Sequence, residues 1–287
     1  MHVLKFPWEK GGGKKSVGAS YGPDAIEKQF KNYPWRCSED GVSAGDIWFL
    51  DLKKEFADKK FCETLPSAFR RISGHILSHR NPFVVLSGDN SCSFHTAESV
   101  AEYFPNPHLV VLDAHPDACD EKHDAHASWV RRLWEGGIVR PDKTIFFGIR
   151  DAEADEMTYV REKGAIVYSC GSLFHTDVEH AVDKLKFSRA LDLSSALILV
   201  VDIDVVDPSQ APATGVPRAP GLDLRQVLSI ICAFGVLSFP VKVGEICEVI
   251  PVEGNQLRYP DDKRPDPSGL TVLAAEAILR QMLRSFS

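Results

Sequence analysis

Short stretches of consecutive apolar residues recur along the chain, separated by segments whose apolar positions fall at helical spacing. The runs are Ile47–Leu50, Phe83–Leu86, Leu109–Leu112, Thr144–Phe147, Ala165–Tyr168, Ala196–Val201 and Val241–Glu248. Most of them are rich in Val and Ile and apolar on successive residues rather than alternate ones, the pattern of strands covered on both faces. The segments between them read as helices near 24–30, 69–77, 93–103, 126–135, 152–163 and 223–234, with a last helix over 269–285. Strand and helix in alternation predict βαβ units and a mainly parallel sheet. No internal repeat, linker or low-complexity tract interrupts the pattern, so residues 1–287 are expected to form one α/β domain.

Composition narrows the function. The 287 residues are 44% hydrophobic and 25% charged, and 33 basic against 40 acidic residues leave a formal charge of −7. That balance offers no basic surplus for nucleic acid. No apolar run approaches the ~20 residues that span a bilayer, so no membrane partner is expected. Met1-His2-Val3-Leu4-Lys5-Phe6-Pro7-Trp8 lacks the layout of a signal peptide. Seven cysteines, at 37, 62, 92, 119, 170, 232 and 247, form no CxxC pair, so reduced thiols and a cytoplasmic location are expected. The segment Gly11-Gly12-Gly13-Lys14-Lys15-Ser16 suggests a phosphate loop but lacks its first glycine, with Trp8 at that position.

Chemistry concentrates where the strands stop, the place where open α/β sheets bind ligands. Asp89, Asp113, His115, Asp117, Asp151, Asp202, Asp204 and Glu248 all fall there. Any one of them is as well explained as a helix cap or turn residue. Asp113-x-His115-x-Asp117 and Asp202-x-Asp204 are harder to explain singly, because alternate residues of an extended segment point the same way. Four carboxylates and an imidazole facing one cleft repel unless cations neutralise them. Hard oxygen donors with an imidazole suit Mn²⁺ best, ahead of Mg²⁺, Fe²⁺, Ni²⁺ or Zn²⁺.

These residues resemble the ureohydrolases, the family of arginase and agmatinase. Ser87-Gly88-Asp89-Asn90-Ser91 resembles its GGDHS motif, and Asp113-Ala114-His115-Pro116-Asp117 matches DAHxD. Val200 to Pro217, with Asp202-Ile203-Asp204-Val205-Val206-Asp207-Pro208 and the Ala-Pro-x-Thr-Gly tail, resembles SxDxDxxDPxxAPGTGTP. Weaker echoes occur at Gly22-Pro23, His126 to Arg132, Gly148-Ile149-Arg150-Asp151 and Glu248-Val249-Ile250-Pro251. The resemblance implies a three-layer α/β/α sandwich and two Mn²⁺ ions bridged by hydroxide. Asp113 and Asp202 would bridge the ions. His115 and Asp204 would complete one shell and Asp117 the other, with Asp117 also accepting a hydrogen bond from the hydroxide. Glu248 matches the carboxylate that grips the guanidinium, and His126, or His123 under another alignment of the loop, the histidine that relays protons. A homo-oligomer, trimer or hexamer, is also implied.

The chain departs from the family where the GGDHS histidine, a metal ligand, becomes Asn90. An amide oxygen is a weaker donor than imidazole, so the ion shared with Asp117 is expected to be weakly held or absent. Cys92 is the nearest substitute ligand, whereas His95 should point away around the helix. Ser87 and Ala213 replace glycines of the motifs at small cost. Residues 118–125 are short and acidic and lack the Ser and Asn set that binds an amino-acid carboxylate, which favours an agmatinase-like substrate. Asp151 and Glu153 could then attract an amine tail, and a solvated helix start explains them equally well. The expected reaction is hydrolysis of agmatine or a similar guanidino-alkane to urea and an amine. Arginine, guanidinobutyrate, guanidine and formimidoyl-glutamate remain as alternatives, as does an impaired, metal-depleted homologue with a binding or regulatory role.

Overall fold

The computed structural model describes residues 1–11, 16–32, 47–57, 64–120, 126–174, 178–187, 195–236, 239–251, 266 and 269–286. Its centre is a sheet of eight strands: β1 (His2–Phe6), β2 (Trp48–Asp51), β3 (Phe83–Ser87), β4 (His108–Leu112), β5 (Thr144–Ile149), β6 (Ile166–Ser169), β7 (Leu197–Asp202) and β8 (Val241–Cys247). Their order is β2-β1-β3-β8-β7-β4-β5-β6, and every neighbouring pair is parallel. β3, β4, β5 and β7 are buried along their whole length, which is why their sequences are unbroken apolar runs.

Ten helices are described in chain order: α1 (Gly22–Asn32), α2 (Leu52–Ala57), α3 (Leu65–Ser78), α4 (Ser91–Tyr103), α5 (Trp129–Glu135), α6 (Ala154–Glu162), α7 (Cys170–Leu173), α8 (Val178–Phe187), α9 (Leu224–Val236) and α10 (Leu270–Ser285). Alternate residues of each strand enter different cores. Val84, Val110, Leu199 and Val201 pack with Ile26, Val227, Ile231 and Ile278 from α1, α9 and α10. Val85, Val111, Ile198 and Val200 pack with Phe69, Val100, Leu133 and Val160 from α3, α4, α5 and α6. The result is the expected α/β/α sandwich, with helices on both faces of a parallel sheet. No helix among the described residues is long and apolar enough to cross a membrane.

One strand was not anticipated. The apolar residues Val3, Leu4 and Phe6 are interrupted by Lys5, which disguises β1 in the sequence. Lys5 is only 2% exposed yet charged, because Asp24, Glu27 and Asp51 surround its ammonium group. Those acids hold its pKa well above the usual lysine value despite the opposing effect of burial. The loop after β1 then crosses the end of β3, where Gly88 donates to the Phe6 carbonyl (3.1 Å) and Asp89 to that of Trp8 (3.0 Å). A Cβ at position 88 would lie 1.9 Å from the Trp8 carbonyl oxygen, so only glycine permits this crossing.

Candidate active site

Four central strands, β3, β8, β7 and β4, end side by side, and their exit turns supply the site. After β3 the chain turns through Gly88-Asp89-Asn90 into α4. Asp89 is spent on this turn: Oδ1 accepts from the Ser91 amide (3.1 Å) and Oδ2 from that of Gly11 (2.8 Å). Asn90 precedes α4 with helical backbone angles and makes no capping bond, so its side chain is free to reach over the strand ends.

The turns after β4 and β7 brace each other. Asp113 Oδ1 accepts from the His115 amide (2.7 Å), Asp202 Oδ1 from the Asp204 amide (2.7 Å) and Asp204 Oδ1 from the Ala114 amide (3.0 Å). Asp117 and Glu248 hold left-handed backbone angles, φ 50° and 59°. That conformation is costly for residues with side chains and recurs at functional sites. It carries Asp117 and Glu248 back over the strand ends.

Two groupings result. In the first, ligand atoms of Asp113, His115 and Asp204 all lie within 4.8 Å of one another. His115 Nδ1 is 3.0 Å from Asp204 Oδ2 and 3.5 Å from Asp113 Oδ1, while its Nε2 lies 3.4 Å from Asp151 Oδ2. An imidazole that faces an acid cluster with one nitrogen and a carboxylate with the other has the arrangement usual for a metal-ligating histidine. In the second grouping, Oδ2 atoms of Asp202, Asp117 and Asp113 lie 2.7, 3.0 and 3.5 Å from Asn90 Nδ2. Asp117 Oδ2 also accepts from Trp129 Nε1 (2.8 Å).

Protonation reflects the crowding. Burial, then the charges of the other aspartates, push Asp113 and Asp202 well above the normal carboxylate range, and burial carries Asp117 to about 7. Asp204 is lowered instead: burial is the largest single influence and raises it, but the hydrogen bond and charge of His115, the Ala114 amide and the charge of Arg150 together outweigh it. Burial disfavours a charged His115, yet hydrogen bonds to Asp113 and Asp204 raise it to about 12. Two carboxylates and an imidazole held within 4.8 Å of one another are a donor set whose protons a divalent cation displaces. The first grouping therefore fits a divalent ion.

Glu248 faces the same space. Its Oε1 takes hydrogen bonds from the Asn90 amide (3.1 Å) and Ser16 Oγ (3.1 Å) and lies 3.2 Å from His126 Nδ1. Its buried Oε2 has no hydrogen-bond partner among the described residues. Burial opposes charge on His126, but the bond to Glu248 and its charge bring the ring to about 9. A cleft of about 270 Å³ opens over these groups, with Asp151, Glu153 and Arg218 at its mouth.

The sequence-predicted residues divide accordingly. Asp113, His115, Asp117, Asp202, Asp204, Asn90, His126 and Glu248 all line or adjoin this space. Asp151 lines it too, but its carboxylate engages Arg218 Nε and faces His115. Glu153 caps α6 in a reciprocal capping box with Glu156. Cys92 turns to the Trp8 carbonyl (3.3 Å), and His95 packs against Phe6 and Phe94. His123 lies outside the described residues. Sequence reasoning overlooked Ser16, Trp129, Arg218, Glu245 and Cys247. Trp129 lies within a quoted motif, Arg218 adjoins one and Cys247 precedes Glu248, but only the fold shows what each touches.

Comparison with known proteins agrees with this architecture. The model of the Arginase family matches residues 1–283. The chain is similar to an arginase of Eremothecium gossypii, 30% identical over 52% of this chain, though the match spans only 41% of that protein's length. It is similar to an agmatinase of Neisseria gonorrhoeae, 26% identical over 93% of this chain and 80% of the agmatinase. The fold is that of proclavaminate amidino hydrolase from Streptomyces clavuligerus, with a TM-score of 0.81, 23% identity, and coverage of 99% and 91% of the two chains. Parallel sheet, strand-end acids and motifs thus define an arginase-fold α/β protein. The chain belongs to the arginase family of ureohydrolases.

Proposed function

We propose that the protein is a metal-dependent amidinohydrolase that cleaves a guanidino C–N bond of agmatine or a related guanidino-alkane, releasing urea and the amine. The observation that carries this reading is Glu248, whose buried Oε2 has no hydrogen-bond partner among the described residues and which lines the same cleft as His115 and Asp204 of the cluster. A guanidinium satisfies such an oxygen with charge-assisted hydrogen bonds. Mn²⁺ is the ion assigned to the cluster. Bound there, it supplies the acidity that lowers the pKa of a water from about 15.7 towards ~7.

The chain's own groups complete the reaction. Glu248 orients the guanidinium so that its carbon faces the cluster, removing the entropic cost of alignment. Asp117, fixed by Trp129, accepts a hydrogen bond from the attacking water. As the C–O bond forms, the water gives a proton to Asp117. As the C–N bond breaks, the amine leaves with the electron pair and takes a proton from His126. The remaining hydroxyl proton of the urea then returns to His126, and the Asp117 proton passes to the released amine. His126 Nδ1 faces Glu248, which leaves Nε2 to make the His126 transfers.

A second reading is favoured by Arg218. Its pairing with Asp151 neutralises the charge that would attract an ammonium tail and places a guanidinium at the mouth of the cleft. Guanidino acids such as guanidinobutyrate suit that mouth. Urea release from a guanidino panel with Mn²⁺-loaded or Ni²⁺-loaded protein separates the two. Under the first reading agmatine is the best substrate. Under the second, Arg218→Ala lowers kcat/KM for the acids by about tenfold, one charged hydrogen bond, and not for agmatine. Metal binding without turnover of any member would favour a binding or regulatory role. The reading also assigns a cytoplasmic homo-oligomer, trimer or hexamer, which light scattering tests for size.

A further inference from the structure

We infer that the centre holds one divalent ion, at Asp113, His115 and Asp204, and that the Asn90 amide takes the place of a second. This rests on reading the first cluster as a metal site. It departs from the two-ion arrangement that the motifs imply.

The argument is steric and chemical. The oxygens available to a second ion are those of Asp202, Asp117 and Asp113, which lie 2.7, 3.0 and 3.5 Å from Asn90 Nδ2. An ion with bonds of about 2.0–2.2 Å to such oxygens would require the volume that the NH₂ group fills. The two N–H donors serve Asp202 and Asp117, so the amide does for these carboxylates part of what a cation would do. Asn90 is 2% exposed, and solvent cannot easily substitute for those bonds.

Rotating the amide would expose its oxygen to the ion, but the surroundings oppose that rotation. On its other side Asn90 Oδ1 accepts from Cys247 Sγ (2.7 Å) and Ser93 Oγ (3.3 Å). The Ser93 hydroxyl is also 3.1 Å from Glu245 Oε1, which accepts from Ser87 Oγ (2.6 Å). A rotated amide would aim an N–H group at the thiol that now donates to it, and would give up its share of the Ser93 hydrogen, which Glu245 Oε1 also takes. It would also place its oxygen against three carboxylates, unless an ion intervened. The ion would gain only a neutral amide oxygen, a poorer donor than imidazole. Ser87, Ser93, Glu245 and Cys247 are thus positioning residues for the Asn90 amide.

The test is a count of ions. Full-length protein is stripped with chelator, titrated with Mn²⁺ and desalted, then read by elemental analysis and by electron paramagnetic resonance. One Mn²⁺ per chain with the spectrum of an isolated ion is expected. Asn90→His, and the near-isosteric Asn90→Asp should the first variant fail to fold, is expected to retain a second ion and show an exchange-coupled spectrum. In either variant the melting temperature should rise more steeply with the logarithm of free Mn²⁺ than in the wild type, because two ions rather than one are then linked to folding. Two coupled ions in the wild type would overturn the inference and leave the metal-hydrolase reading intact. A folded variant that still binds one ion would also overturn it. A wild type that retains no Mn²⁺ would remove the metal-hydrolase reading, and this inference with it.

Discussion

Replacing Glu248 with Gln tests the substrate assignment with little disturbance of the fold. The backbone amide of Asn90, Ser16 Oγ and His126 Nδ1 all converge on Oε1. The glutamine carbonyl oxygen will settle there, and the NH₂ group will take the position of Oε2. The variant then presents donors to a guanidinium that itself has only donors. One charge-assisted hydrogen bond is lost and a donor–donor contact replaces it, together about 3 kcal/mol. At about 1.36 kcal/mol per tenfold, kcat/KM for urea release should fall ~10²-fold. Metal content measured on the same preparation should not change, because Glu248 is not among the residues proposed to hold the ion, Asp113, His115 and Asp204. A variant with the wild-type metal content and kcat/KM within about threefold of wild type would refute the assignment of Glu248 to the guanidinium.

Two other variants probe the proton relay and the Lys5 cluster. His126→Ala should lower kcat by ~10²–10⁴ and be partly rescued by added imidazole, with metal content unchanged; a rise in KM alone would contradict the relay role. Lys5→Met tests the acids around β1. Despite burial, Lys31 and Lys5 hold Glu27 below its usual 4.5, and Lys5 and Lys54 hold Asp51 below 3.8. Depressed carboxyls add stability above their unfolded values, and that stability is lost as pH falls through the folded ones. The variant should therefore be about 3 kcal/mol less stable than wild type at pH ~7, with the gap narrowing below pH ~4 as the acids protonate. Urea unfolding midpoints at the two pH values measure this, and an equal gap at both would show that charge is not what Lys5 contributes.

The sequence disclosed those parts of the molecule whose physics is local. β3, β4, β5 and β7 are covered on both faces, so each appears as an apolar run. β1 lies in the same sheet but carries Lys5, whose neutralising partners come from α1 and β2; no local pattern reports that. The aspartates and His115 were legible because two-residue spacing at a strand end projects side chains together. Arg218 and Asp151, 67 residues apart, meet only once β5 and the segment after β7 lie side by side.

Asn90 shows the same boundary within a single residue. Its identity in the sequence says that an imidazole is missing, but not which end of the amide faces the acids. That orientation depends on Cys247 and Glu245, which alternate with apolar residues in β8 and so look like part of a strand, and on Ser93 one turn into α4. The change from the family motif is therefore embedded in a hydrogen-bonded set and is not an isolated lesion. For that reason Asn90→His restores a ligand without restoring its surroundings. Its imidazole must find room beside a thiol and a hydroxyl placed to donate to an oxygen. The second ion should accordingly bind less tightly in that variant than the first, and adding Cys247→Val should tighten it by removing the competing donor. Mn²⁺ titration of the single and double variants tests this, and equal affinity for the second ion in both would show that Cys247 does not hold the amide.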